Sequence, residues 1–182
     1  MPPNSRWNGP AKSGPSFTTT LAVAIVLAAV SIRRGTIQDA ARISAFITAL
    51  SEEYIVGEFS AEGRIHFLRD HATSEVHQRL AGDFRFYLAE SGDDLAGVAA
   101  IRSNTHLYYL FVGRPFHRMG LARRLWAYVK EESLALGNPS TFTVNASNYA
   151  VSAYERLGFR RTEPTREKNG VLYNPMQFLS AG

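Results

Sequence analysis

The stretch from Leu110 to Ala122 reads LFVGRPFHRMGLA, and it decides how the chain is built. An apolar strand ends in it, a short basic loop follows, and Gly120 begins a helix with apolar residues at Leu121 and Leu125. The first turn of a helix has unpaired N–H groups and a partial positive charge, and a glycine there lets an anion approach the backbone closely. The stretch therefore predicts either a phosphate site at a strand-to-helix junction or a solvated basic helix start.

Two common phosphate-binding motifs do not fit this loop. No Gly-Lys-Ser/Thr follows Gly120, so it is not a P-loop, and the spacing of Gly113 and Gly120 is wrong for a dinucleotide fingerprint. The basic cluster Arg114–Arg124 also makes a nucleic-acid-binding module a rival interpretation. The net charge of +4 and the isoelectric point near 9.6 are too mild to establish it.

Length and composition indicate one domain. The 182 residues are 45% hydrophobic and 20% charged, which allows a sizeable core and argues against bulk disorder. The chain has no cysteine, which excludes disulfides, thiolate metal sites and a cysteine nucleophile. The histidines show no metal-binding spacing such as HExxH, so no metal is expected, and His66, His71 and His77 are expected on solvated helix faces.

Residues 1–29 form a predicted N-terminal extension, and residues 30–182 form the predicted domain. The first 20 residues are rich in Pro, Ser, Thr, Gly and Asn and predict a disordered arm. The apolar run Leu21–Val30 is too short to span a membrane, which takes about 20 residues. A secretory signal and a natural start near Val30 are the alternatives for this segment.

Hydrophobic periodicity predicts a mixed α/β fold with the order β α α β β β α β α β β. The segment Leu107–Val112 is a near-continuous apolar run, typical of a central strand. The segment Ala61–Leu80 predicts one or two helices, with Ile65 and Leu68 facing inward. Pro175 is expected to break the last strand or to place it at the sheet edge. The other predicted strands are 30–33, 84–90, 95–102, 141–145, 159–162 and 171–179.

A second informative stretch, Val144–Phe159, reads VNASNYAVSAYERLGF and predicts a strand followed by a short helix. Tyr154 lies on the apolar stripe of that helix. A core aromatic residue fits this pattern. So does a buried phenol whose hydroxyl needs a polar partner and could serve as an acid. The residues alone leave both interpretations open.

Taken in order, the two stretches resemble the GNAT superfamily of acyl-CoA-dependent N-acyltransferases. The family pattern Gln/Arg-x-x-Gly-x-Gly/Ala at a helix start is similar to the stretch from His117 to Ala122, with histidine in the first position. The second pattern, Asn-x-x-Ala-x-x-x-Tyr-x-x-x-Gly-Phe, is similar to the stretch from Ser147 to Phe159, with serine in the first position. The resemblance spans about Val30 to the C-terminus. It implies an α/β (α+β) fold with a mostly antiparallel sheet flanked by helices and a splay between the fourth and fifth strands.

The resemblance also implies acetyl-CoA as co-substrate, without a metal. Its pyrophosphate would meet the backbone amides at the helix start. Its pantetheine arm would pair with the end of the central strand and meet the side chain of Asn145. The implied binding residues are Leu110, Phe111, Val112, His117, Arg118, Met119, Gly120, Leu121, Ala122, Arg123 and Asn145.

The reaction that the resemblance implies is direct attack of an amine on the thioester. An amide of Phe111 or Val112 would stabilise the oxyanion, and Tyr154 would protonate the departing thiolate as general acid. Some family members place a glutamate on the central strand, which is absent here. His106 and Tyr108 are the nearby candidate bases, of which His106 has the better intrinsic pKa, and Glu58 and a water chain are the other possibilities.

We therefore expect a cytoplasmic N-acetyltransferase that acts on a primary amine of a small molecule or peptide. No nucleic-acid partner and no membrane association are expected, and homodimers are common in the family. The alternatives are a CoA-binding domain that has lost catalysis and a basic nucleic-acid-binding module. The segment Ser51–Ala81 and the last strand pair are expected to set the acceptor, and their sequence does not identify it.

Overall fold

The computed structural model describes residues 29–179, so the predicted arm and most of the apolar run lie outside the described residues. The strands are β1 (Val30–Arg34), β2 (Phe84–Ser91), β3 (Asp94–Arg102), β4 (His106–Val112), β5 (Thr141–Ala146), β6 (Arg160–Arg161), β7 (Arg166–Lys168) and β8 (Val171–Leu179). The helices are α1 (Ala40–Tyr54), α2 (Ala61–Asp70), α3 (Thr73–Ala81), α4 (Leu121–Ala135) and α5 (Val151–Arg156), with 3₁₀ turns at Ile37–Asp39, Val56–Glu58 and Arg114–Phe116. The predicted mixed α/β fold is confirmed, and β7 is a strand that the sequence pattern did not reveal.

The strands form one sheet in the order β1-β2-β3-β4-β5-β8-β6, with β7 paired to the start of β8. In the described part of the chain every strand pair is antiparallel except β4–β5, which is parallel and consists of one residue pair, His106 with Thr143. Beyond that pair the two strands diverge toward their carboxyl ends. The predicted splay between the fourth and fifth strands is therefore confirmed.

Helices cover both faces of the sheet. We call the side covered by α1 and α3 the α1 face, and its core includes the fully buried Ile43 and Ile47. We call the side covered by α4 and α5 the α4 face, and its core includes the fully buried Leu121 and Leu125. Full burial of one such side chain contributes about 1.5–3 kcal/mol to the free energy of unfolding. The two cores therefore hold the strands on either side of the splay in place. Within residues 29–179, no helix is both long and apolar enough to cross a membrane.

Two expectations for α2 are wrong because this helix packs through a glycine. A Cβ on Gly63 would lie 2.2 Å from the Gly170 carbonyl oxygen, so the helix meets the β7–β8 turn backbone to backbone. That contact turns Ile65 outward, where it is 59% exposed. It also brings His71, at the end of the helix, into the interior, where the ring is 4% exposed and stacks on Phe67 with centroids 4.1 Å apart.

The expectation for Pro175 is also wrong, because β8 lies between β5 and β6. Pro175 pairs with Asn145 of β5, and its carbonyl accepts a hydrogen bond from the Thr162 amide at 3.0 Å. A residue in an antiparallel strand directs its N–H and C=O to the same side. Pro175 has no N–H, and the side of the strand that lacks this donor faces Thr162, just after the end of β6.

An ion-pair network anchors the start of α1 to β1 and β2. Arg33 contacts both oxygens of Asp39 at 2.7 and 2.9 Å, and its Nε lies 2.8 Å from Glu90. Asp39 also accepts a hydrogen bond from the Thr36 amide at 2.8 Å. The hydrogen bonds from Arg33, followed by those from Thr36, hold the pKa of Asp39 well below its usual range despite partial burial. This carboxylate therefore stabilises the fold in its charged form.

Candidate active site

The loop between β4 and α4, at the open end of the splay, is the candidate anion site. Gly120 has φ +92°, a conformation that L side chains rarely adopt, and a Cβ built there would meet no atom within 4 Å. The Arg124 amide donates the first helical hydrogen bond, to the Gly120 carbonyl at 3.1 Å. The amides of Leu121, Ala122 and Arg123 precede that bond, so the helix itself does not use them.

Two amides that the sequence places in the phosphate site are used by the loop itself. The His117 amide donates to the Arg114 carbonyl at 3.1 Å, and the Met119 amide donates to the Phe116 carbonyl at 3.4 Å. Arg118 between them has φ +62° and an exposed side chain. The amides available to an anion therefore belong to residues 120–123, later in the loop than the motif's first residue.

The His117 side chain ties the loop to the end of β4. Its Nε2 lies 2.8 Å from the Val112 carbonyl oxygen, and because a carbonyl only accepts, we assign the proton to Nε2. The ring also contacts Tyr54 at the end of α1, with centroids 5.5 Å apart. The residue at the family's Gln/Arg position thus fixes the shape of the loop here.

Backbone alternation decides which β4 amides face the splay. The Gly113 amide donates to the Ala96 carbonyl at 2.9 Å, so Phe111, two residues earlier, also directs its N–H and C=O toward β3. Leu110 and Val112 direct theirs toward the splay. Of the two oxyanion donors expected from the sequence, Phe111 and Val112, this geometry leaves Val112.

A β-bulge in β4 lies next to the splay. The β3–β4 register shifts at Tyr108, which is the extra residue. The Tyr108 hydroxyl donates to Asp70 at 3.1 Å, and the Tyr109 hydroxyl accepts from Arg79 at 2.9 Å. Arg79 and Asp70 form an ion pair at 2.8 Å. Burial raises the pKa of both tyrosines, so these neutral phenols brace α2 and α3 against β4.

Tyr154 lies on α5, in the core of the α4 face. Its side chain is 7% exposed and packs edge-on against Phe159, with ring centroids 5.4 Å apart. Burial alone raises the pKa of its hydroxyl, without a contribution from a hydrogen bond to a described residue. The residue therefore fits both interpretations of its pattern: the ring fills the core, and the hydroxyl keeps a proton that it can donate.

His106 marks the closed end of the splay, where its Nδ1 lies 2.8 Å from the Thr143 hydroxyl oxygen. Burial, with a smaller effect from Arg102, lowers the pKa of His106 to about 4. The ring is neutral at pH 7, but such a base has little driving force to take a proton from an ammonium group of pKa about 10. Its role as base stays a prediction. Among the described residues, no three His, Asp or Glu side chains gather where they could hold a metal ion.

Asn145 lies on the α1 face of β5. The residues on either side of it, Val144 and Ala146, are buried in the core of the α4 face, and side chains alternate along a strand. Tyr154 belongs to that same core, so Asn145 and Tyr154 lie on opposite faces of the sheet. The contact of Asn145 with a pantetheine arm stays a prediction.

The junction between α1 and α2, residues 53–58, spans the open end of the splay. Tyr54 contacts His117 on the β4 side and stacks on Tyr149 on the β5 side, with centroids 5.5 and 4.9 Å apart. Glu58 accepts a hydrogen bond from Asn148, 90 positions later, at 2.6 Å. The structure thus brings Glu58 to the loop after β5. Tyr54 and Tyr149, which no spacing in the sequence signals, lie at this end of the splay as well.

Comparison with known protein families identifies this arrangement. A family model described as "Acetyltransferase (GNAT) domain" matches residues 55–180. The chain belongs to the GNAT acetyltransferase family. The match includes the splay, the Gly120 loop and Tyr154, so the expected acyltransferase class is confirmed.

Solved GNAT structures share the fold. A GCN5-related N-acetyltransferase from Rhodopseudomonas palustris has a TM-score of 0.72 at 20% identity, over 82% of this chain and 95% of that one. The PaiA N-acetyltransferase from Thermoplasma acidophilum, in complex with coenzyme A, has a TM-score of 0.69 at 15% identity, over 83% and 99% of the two chains. A GNAT-family acetyltransferase from Staphylococcus aureus has a TM-score of 0.64 at 15% identity, over 82% and 98%. Identities this low show the fold alone. A comparison with curated protein sequences gives no match.

Proposed function

We propose that this GNAT acetyltransferase transfers the acetyl group of acetyl-CoA to a primary amine by direct attack inside the splay. The observation that supports this most is the junction of β4 and α4. There the Val112 amide faces the splay, the Gly120 helix start follows it, and Tyr154 lies in the core beside it. Together they supply an oxyanion donor, a phosphate grip and a proton donor around one slot.

The Gly120 loop fits a pyrophosphate. The space beyond Gly120 is open, the amides at the start of a 15-residue helix point into it, and the side chains of Arg118 and Arg123 are exposed. Helix N-termini of this kind bind phosphate through backbone N–H groups and the helix dipole. The coenzyme A complex of PaiA, which has the same fold, supports the assignment of this slot to acetyl-CoA.

In the proposed reaction, the amine nitrogen forms a bond to the acetyl carbon and the carbon–sulfur bond breaks. The Val112 N–H stabilises the oxyanion, and a donor of this kind typically lowers the barrier by about 2.7–4 kcal/mol. Tyr154 gives its proton to the departing thiolate and regains one from solvent. The amine loses one proton in the same reaction, to His106, Glu58 or water.

Calorimetry with acetyl-CoA and, separately, with duplex DNA tests the proposal. Binding of acetyl-CoA at micromolar concentration and no binding of DNA are expected, and the lack of acetyl-CoA binding would refute the proposal. A free-thiol assay with a panel of primary amines then separates an enzyme from a CoA-binding domain without catalysis. Amine-dependent release of CoA is the result expected of the enzyme.

A further inference from the structure

A relay of side-chain hydrogen bonds runs from the interior of β8 to the surface beside the splay. Asn174 is fully buried, and its Nδ2 donates to the Ala146 carbonyl at 3.1 Å and to Asn148 Oδ1 at 2.9 Å. The Thr165 hydroxyl donates to Asn174 Oδ1 at 2.8 Å. Because Asn148 Oδ1 is the acceptor, its Nδ2 faces the other way and donates to Glu58 at 2.6 Å. The relay therefore fixes the position of one surface carboxylate.

Glu58 differs from the other carboxylates of its segment in its partner. Glu52 forms an ion pair with Arg64 at 3.2 Å, and Glu53 forms one with Arg114 at 3.6 Å. The hydrogen-bond partner of Glu58 is a neutral amide, and none of the ion pairs found within residues 29–179 includes it. A carboxylate held by a neutral donor keeps its full charge for a cationic ligand.

An exposed aromatic ring belongs to the residue next to the amide that holds this carboxylate. Tyr149 follows Asn148 directly, and its ring is stacked on Tyr54 at an interplanar angle of 23°. One face of the Tyr149 ring is therefore covered, while the residue as a whole stays 53% exposed. An organic cation gains attraction from the open face of a tyrosine ring. The carboxylate that Asn148 holds and the exposed ring of the next residue together offer the chemistry that binds an alkylammonium group.

We propose that the acceptor carries a second positive charge, which Glu58 and the open face of Tyr149 bind while the reacting amine lies in the splay. The inference rests on the proposed function and deepens it, because it assigns the acceptor to the class of diamines and other amines with a remote cationic group. Glu58 is then a specificity residue and not the base. Asn148 and Asn174 are positioning residues that act through it.

The matched probes are 1,4-diaminobutane and 1-aminobutane, which differ in the second charge, with the three- and five-carbon diamines to vary the span. Wild-type enzyme should favour a diamine about tenfold or more in kcat/KM, because a hydrogen bond to a charged group is typically worth that much. Glu58→Gln should bring this preference to within about twofold by raising KM for the diamine. The kcat/KM for 1-aminobutane, which lacks the second charge, should fall far less than that for the diamine, and the affinity for acetyl-CoA should stay the same. If Glu58 were the base, kcat would fall for both amines instead.

Glu52→Gln is the control, because it removes the same charge from the same segment and should keep the preference. Asn148→Ala should weaken the preference without abolishing turnover. Calorimetry of the CoA-saturated enzyme with each amine gives a readout that does not depend on catalysis. Equal handling of diamines and 1-aminobutane by wild-type enzyme, no binding of any of these amines, or a preference that survives in Glu58→Gln would each overturn the inference. Failure of acetyl-CoA itself to bind would instead overturn the proposed function.

Discussion

Replacing Tyr154 with phenylalanine removes one oxygen atom and leaves the aromatic packing intact. The ring lies in the core against Phe159, and no described residue is hydrogen-bonded to its hydroxyl. The hydroxyl oxygen is not among the fully buried polar atoms without a partner, so water can reach it and its removal should change the free energy of unfolding little. A thermal melt should therefore show a Tm close to that of wild type.

The effect on catalysis should be far larger. General acid catalysis contributes roughly 10²–10⁴-fold, which corresponds to about 2.7–5.5 kcal/mol of barrier. The thiol-release assay should show kcat of Tyr154→Phe reduced by that range, while the Kd for acetyl-CoA from calorimetry changes less than about twofold. Because burial raises the pKa of Tyr154, ionisation of this acid should not reduce wild-type kcat below about pH 10.

Two outcomes would refute this reasoning. An unchanged kcat would remove Tyr154 from the reaction. A large loss of acetyl-CoA affinity or of Tm would make it a structural residue, because the hydroxyl would then have a partner that the fold or the ligand needs.

Three further perturbations test the site and its scaffold. Gly120→Glu should weaken acetyl-CoA binding about 100-fold or more in calorimetry. Gly120→Ala adds only the strain of a left-handed backbone, about 1–2 kcal/mol, and should weaken binding far less. Equal effects of the two substitutions would place the pyrophosphate elsewhere. Asp39→Asn should lower the free energy of unfolding in urea by roughly 1–3 kcal/mol at pH 7. Because the folded-state pKa of Asp39 is depressed, this difference should be full above its unfolded pKa of about 3.9 and shrink as the pH falls further, so a constant difference at pH 2 would contradict the assignment. Wild type should lose stability as the pH falls from about 6.5 toward 4, because His106 takes up a proton in the unfolded chain and stays neutral in the folded one. His106→Gln should show a smaller loss, since burial also lowers the pKa of His71, and an unchanged kcat in the same variant would exclude His106 as the base.

The part of the site that the sequence predicts is the part that local geometry specifies. Access to the backbone at Gly120 and a buried stripe on α4 follow from residue type and 3.6-residue periodicity, so the strand, the loop and the helix could be predicted in order. The splay could be expected only from the family resemblance, because the sequences of β4 and β5 do not indicate that a single residue pair joins the two strands.

The rest depends on contacts between distant segments. Glu58 and Asn148 lie 90 positions apart, and the buried Asn174 that orients them looks like any other polar residue in a strand. His71 is polar and ends a helix, so a solvated position is the natural expectation, and only the tight packing of Gly63 reverses it. Sequence patterns report which face of an element is apolar, and they do not report which loop will be its neighbour.

The splay divides the sheet into two parts at the active site. The strands up to β4 and the strands from β5 onward are separate hydrogen-bonded units, joined by the single pair of His106 with Thr143. Helix α4 packs against both parts of the sheet. Leu125 lies against Gly97 of β3, and Trp126 packs edge-on to Phe142 of β5 with ring centroids 4.9 Å apart. The slot between β4 and β5 can therefore widen through shifts in side-chain packing, without breaking a series of backbone hydrogen bonds. Hydrogen exchange of the backbone amides along β4 and β5 should report such local opening well before global unfolding.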